Sequence, residues 1–172
     1  GLYRAWRDEV VEREPEVFTD GFMRHADWFG DHIVGLVDHL NEPLSIRHGD
    51  CRTDNMLFTD TGLVMVDFGV SGSGRPAGDV AYLLSETIPP GPGARATFLR
   101  LCREYHDGLV AAGVTDHPLD EFLNDCDIVL AVQAYRVVLI EAAFEADYDG
   151  ESLAHLWGPR LRPLLADGLP RF

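Results

Sequence analysis

Arg47-His48-Gly49-Asp50-Cys51-Arg52-Thr53-Asp54-Asn55 leads into Met56 to Phe58, then Thr59-Asp60-Thr61-Gly62, Leu63 to Val66 and Asp67-Phe68-Gly69. Two short apolar runs flank a turn-forming tetrad that ends in glycine, which is the signature of a β-hairpin. With the turn at Thr59 to Gly62, Phe58 faces Leu63 and Asn55 falls opposite Val66, beside Asp67. Polar residues without an obvious structural task gather at the open end of this hairpin.

Outward from this centre the pattern is helical. On the N-terminal side Thr19 and Asp20 read as caps, and Phe22, Ala26, Phe29, Ile33 and Leu40 recur at three- and four-residue steps until Asn41-Glu42-Pro43. Leu44 to Arg47 reads as a short strand. Gly69 to Gly78 reads as a flexible run, after which Asp79 reads as the N-cap of a helix through Val80, Ala81, Leu83 and Leu84. Phe98, Leu101, Cys102, Tyr105 and Leu109 form another stripe closed by Gly113, and a long helix runs from Pro118 to about Ala146. The tail from Gly158 reads as a short helix and a loose end. Helices, a small hairpin sheet with loops, then helices predict a single α+β domain, mostly α.

The composition narrows the function. The 172 residues carry 14 basic and 29 acidic side chains, a net charge of −15. That balance argues against nucleic acid or an anionic membrane as the main partner. Every basic residue is an arginine. Without lysine the chain holds no Walker A loop, no strand lysine of a kinase nucleotide lobe and no Schiff-base site. Cys51, Cys102 and Cys126 are odd in number and widely spaced, which speaks against a disulfide framework or zinc site and for a reducing cytoplasm. The charged segment after Gly1 is not a secretory signal, and no stretch is apolar enough for a membrane span.

The central residues point to chemistry. A carboxamide oxygen from Asn55 beside the Asp67 carboxylate suits a hard cation such as Mg²⁺, which keeps waters and substrate phosphates as its other ligands. Asp50, five residues before Asn55, reaches the same pocket and can orient an alcohol and accept its proton. Singly, Asp50, Asn55 and Asp67 are ordinary turn or cap residues; their joint spacing across a hairpin favours function. Gly72-Ser73-Gly74-Arg75-Pro76-Ala77 fits a loose dinucleotide fingerprint but stands too far from the strand, with Pro76 where a helix should open, and no G-x-S-x-G elbow is formed. His25, His32 and His39 recur every seven residues, a possible metal stripe that reads better as a partly exposed helix flank. Glu141, Glu145, Asp147 and Asp149 read as a solvated face rather than a cationic-substrate pocket.

HGD, four residues, Asn, a hairpin and DFG resemble the catalytic and metal loops of the kinase-like phosphotransferases. The glycine of HGD resembles the aminoglycoside phosphotransferase and choline kinase branch, and Gly74-Arg75-Pro76-Ala77-Gly78-Asp79-Val80-Ala81-Tyr82-Leu83-Leu84 is similar to the segment after its metal loop. The stretch HGDCRTDNMLF and the segment Tyr105 to Gly113 are most similar to bacterial relatives of the ecdysteroid-kinase-like group. The specific motifs cover about Arg47 to Leu84.

The resemblance implies a protein-kinase-like C-terminal lobe over residues 1–172 and ATP- and Mg²⁺-dependent transfer of the γ-phosphoryl group to a hydroxyl of a small molecule. In the catalytic loop it makes Asp50 the base and His48 its brace; Asn55 and Asp67 become the ligands of Mg²⁺ on ATP; Asp79 supports the loop from behind. Arg52 and Asp54 receive no role. The family's nucleotide lobe, with its phosphate-covering loop, lysine and hinge, is not encoded in these residues, so that lobe is expected from the same gene or a partner chain. The alternative is a pseudokinase-like module that binds without catalysis.

Overall fold

The computed structural model describes residues 2–40, 45–144, 147–148 and 151–172. Among the described residues there are six α-helices and three two-stranded antiparallel sheets: α1 Leu2–Arg13, α2 Asp20–His39, β1 Ser45–Arg47, β2 Met56–Thr59, β3 Gly62–Met65, β4 Gly72–Gly74, α3 Ala77–Thr87, α4 Ala94–Ala111, α5 Leu119–Phe144, β5 Asp147–Tyr148, β6 Glu151–Ser152 and α6 Leu153–Leu161. The mostly helical α+β architecture expected from the pattern is present.

Helix α5 is the axis of the fold, with α1, α2, α3, α4 and α6 all packed on it. It is apolar nearly all round, as a central helix must be: Phe122, Cys126, Val129, Leu130, Ala134, Val137 and Val138 are buried in the main core. Phe22 and Ala26 of α2, Ala77 and Ala81 of α3, Phe98 and Cys102 of α4 and Leu161 of α6 meet them there. The small residues Ala77, Gly78 and Ala81 let α3 lie close to its neighbours. That close packing fixes the height at which the α3 side chains face the loops.

The hairpin has the expected register. Met56 pairs with Met65, Phe58 with Leu63 and Thr59 with Gly62. Thr59 closes the turn by donating from Oγ1 to the Gly62 carbonyl at 2.8 Å. Asn55 lies one step outside the ladder, its carbonyl accepting from Val66 N at 3.0 Å.

Several expectations are corrected. The run from Gly69 to Gly78 is not simply flexible: Gly72–Gly74 pairs with β1, with Ser45 opposite Gly74 and Arg47 opposite Gly72. Glycines carry no periodic side-chain signal, so this strand is silent in the sequence. Asp79 is not an N-cap, because α3 opens at Ala77 with Pro76 in the cap position. The histidine repeat on α2 is a partly exposed flank at His32 and His39 but not at His25. His25 is 2% exposed and donates from Nδ1 to the Gly21 carbonyl at 2.9 Å, and His39 donates from Nε2 to Asp125. Nor do these histidines form a metal stripe, since each turns to a separate partner. Glu141 is no solvated acid: it is 4% exposed, bonded to Arg13 and Ser152. Of its companions, Glu145 and Asp149 lie outside the described residues, as does the expected stop at Asn41-Glu42-Pro43. The tail is more ordered than a loose end. Pro159 sits inside α6, a 3₁₀ turn follows at Arg162–Leu164, and Asn124 holds Arg171 through both backbone groups.

Candidate active site

The loop between β1 and β2 is anchored by its own backbone. Gly49 has φ +84°, and a Cβ there would run into the carbonyl oxygen of Val70. Only glycine fits on both counts. The next loop over is thereby pressed against this one.

Asp79 holds the loop from the helix side. Its Oδ2 accepts from His48 N at 2.6 Å and its Oδ1 from Gly49 N at 3.0 Å. One turn along the same helix, Tyr82 donates from its hydroxyl to Asp50 Oδ1 at 3.2 Å. Three consecutive loop residues are therefore fastened to one face of α3. Arg47 lies close to the same carboxylate, Nε to Asp79 Oδ1 at 3.9 Å, and its side chain rests on Gly78, where a Cβ would collide with it.

His48 bridges the two loops. Its Nε2 donates to the Val66 carbonyl at 2.8 Å, and its Nδ1 accepts from Asp50 N at 3.3 Å. With one nitrogen donating and the other accepting, the imidazole is the neutral Nε2–H tautomer. The residue is 6% exposed, and its ring packs against Phe68 at a tilt of 49° with centroids 4.6 Å apart. Both nitrogens are engaged in hydrogen bonds that join the two loops.

Asn55 ties the site together. Its Nδ2 donates to the Asp50 carbonyl at 2.9 Å and to Asp50 Oδ2 at 3.0 Å. Two acceptors fix the amide's orientation, and among the described residues no protein group donates to Oδ1. Asp67 follows Val66, the backbone partner of Asn55, at the open end of the hairpin. It has φ +61° and is the sole non-glycine residue with positive φ among the described residues, a conformation an aspartate tolerates but does not prefer. Its side chain is exposed, and Oδ1 takes the Gly69 amide at 3.4 Å. Asn55 offers an amide oxygen and Asp67 an exposed carboxylate, so the donor chemistry at this end of the hairpin is all oxygen. That fits the needs of Mg²⁺, which keeps several waters and phosphate oxygens.

The surroundings are electrically asymmetric. Burial pushes the Cys51 thiol up to about 11, with the Asp79 and Asp50 carboxylates adding to it. Burial pushes Tyr82 up to about 12, again helped by carboxylates, those of Glu86 and Asp50, and opposed by Arg136. Arg52 and Asp54 pair with each other at 2.6 Å on the surface.

The sequence motif thus brings His48, Asp50, Asn55 and Asp79 into one bonded cluster, with Asp67 at its edge. Sequence reasoning missed Tyr82 as a partner of Asp50. The signal was available in the spacing: Tyr82 lies three residues after Asp79, hence on the same helix face.

With this geometry in view, the comparison with protein families is decisive. A family model described as "Phosphotransferase enzyme family" matches residues 3–110. The chain belongs to this family. The match places it in the aminoglycoside phosphotransferase, kinase-like superfamily, and it takes in every residue of the cluster. All of α5 and α6 lie outside it. No curated protein and no solved structure matches the chain.

Proposed function

We propose that this chain supplies the catalytic base and the metal-binding side chains of a phosphotransferase that moves the γ-phosphoryl group of ATP to a hydroxyl of a small molecule. The observation that carries the reading is the double hold of Asn55 on Asp50, through Nδ2 to the carbonyl and to Oδ2. One amide fixes the base with its nitrogen while its oxygen remains for a cation, so base and cation site keep a constant separation. Phosphoryl transfer depends on such positioning more than on covalent chemistry by the protein.

Asp50 orients the acceptor hydroxyl and takes its proton as the new P–O bond forms and the Pγ–O bond to the β-phosphate breaks, with ADP leaving. Asn55 Oδ1 and the Asp67 carboxylate would hold the cation, and Mg²⁺ bound there would neutralise charge on the phosphates. His48 and Asp79 fix the loop on which Asp50 rides. Leu57, Phe58, Leu63 and Val64 of the hairpin are all about half exposed or more; the nucleotide lobe implied by the resemblance, from the same gene or a partner chain, is the element we propose to cover them. Among the described residues no helix is long and apolar enough to cross a membrane.

The test is Mg²⁺-dependent transfer from ATP across a panel of hydroxyl-bearing small molecules (aminoglycosides, choline-like amines, sugars, amino alcohols and sterol-like alcohols), using protein from the complete reading frame. Phosphorylation of one compound class supports the reading. A folded protein that binds neither ATP nor Mg²⁺ overturns it.

A further inference from the structure

We propose that Tyr82 is a positioning residue for Asp50, setting the direction in which the aspartate presents its lone pairs to the acceptor hydroxyl. The inference rests on the reading of Asp50 as the base.

The carboxylate of Asp50 is held by two donors on two different oxygens. Asn55 Nδ2 reaches Oδ2 at 3.0 Å and the Tyr82 hydroxyl reaches Oδ1 at 3.2 Å. The terminal torsion of an aspartate is broad and nearly two-fold when unrestrained. One donor leaves the group free to swing about that contact, whereas two donors from opposite elements define a plane. Asn55 belongs to the loop that carries Asp50, so it moves with the base. Tyr82 belongs to α3, which is packed into the core through Ala77 and Ala81. Of the two, the tyrosine ties the base to the rigid body of the fold.

Tyr82 is itself held still. Its side chain is 5% exposed, the Arg136 guanidinium lies 5.5 Å from its ring centroid, and Ser85 Oγ donates to its carbonyl at 2.7 Å. Burial beside Glu86 and Asp50 keeps the hydroxyl protonated up to about pH 12, so it remains a donor throughout the working range. A base whose lone pair is misdirected loses proton-transfer efficiency without losing substrate. The contact therefore acts on the chemical step and not on binding.

The experiment compares wild type, Tyr82→Phe, Asp50→Asn and the double variant in the full-length protein, reading kcat, KM for ATP and for the acceptor, and Tm. Phenylalanine keeps the ring and removes only the hydroxyl. We expect Tyr82→Phe to lower kcat about tenfold, to leave both KM values within about twofold, and to cost no further activity when Asp50 is already asparagine. An unchanged kcat, a loss confined to KM, or the same fractional loss in both backgrounds overturns the role given to Tyr82 while leaving Asp50 as base. A folded wild type that transfers no phosphate overturns the role of Asp50 and this inference with it.

Discussion

Asp79 reaches 31 residues back along the chain and accepts the backbone amide of His48 at 2.6 Å. The second oxygen takes the next amide, that of Gly49. A helix residue thus dictates the backbone path of the loop that carries Asp50, two residues further on. The bonds are charge-assisted, which makes them short and strong.

Replacing Asp79 with alanine strands both amides in a half-buried place. Leaving such donors unmade costs about 1–3 kcal/mol each. We expect Asp79→Ala to lower stability by about 2–6 kcal/mol and turnover by about a hundredfold. Chemical denaturation and transfer assays on the same preparation check it. A variant as stable and as active as wild type would refute the anchoring role.

The hairpin and its register were legible in the sequence because Thr59-Asp60-Thr61-Gly62 leaves one way to pair Met56–Phe58 with Leu63–Val66. The helices from α2 onward were legible because their apolar positions recur at helical spacing. What stayed hidden depends on long-range partners. Gly72–Gly74 becomes a strand only because β1 is there to pair with it. Asp79 looks like a cap from local spacing, yet it is turned toward the loop from inside the first turn of α3. Glu141 looks like one of a run of surface acids, but Arg13, 128 residues away in sequence, meets it in a partly buried pair. Burial of a charge shows in a sequence only when its partner is known.

A second buried charge makes a separate prediction. Asp125 is 1% exposed and gathers three donors: Arg75 Nη1 at 2.8 Å, His39 Nε2 at 2.9 Å and His117 Nε2 at 3.0 Å. These come from the segment before α3, the end of α2 and the loop before α5, so one carboxylate pins three parts of the fold. Asp125→Ala leaves Arg75 without its counter-charge and should cost about 3–5 kcal/mol. Asp125→Asn keeps the shape and part of the bonding and should cost less. Equal stability of all three proteins in urea titration would show that the network carries no weight.

Cys51 neighbours Asp50, and its thiol is raised to about 11 by burial and by the Asp79 and Asp50 carboxylates. At pH 8 about 0.1% of it is thiolate. Iodoacetamide should therefore label Cys51 slowly at pH 8 and faster as the pH climbs towards 11. The sign on stability follows the same shift. A group whose native pKa is raised contributes fully below its unfolded value near 9, and the contribution is lost as the pH rises through 11. Mass spectrometry of the labelled peptide against pH checks it. Rapid labelling at pH 7 would contradict the electrostatic picture of the loop.

The role of Asp50 as the base of a phosphoryl transfer is put to the test by a single comparison. Transfer of labelled γ-phosphate from ATP to the accepted hydroxyl compound is followed for wild type and Asp50→Ala, with thermal unfolding measured on both. With Asp50 as the base, kcat falls at least about a hundredfold in Asp50→Ala with Mg²⁺ present, and Tm is nearly unchanged. An Asp50→Ala protein that keeps most of its activity would contradict it.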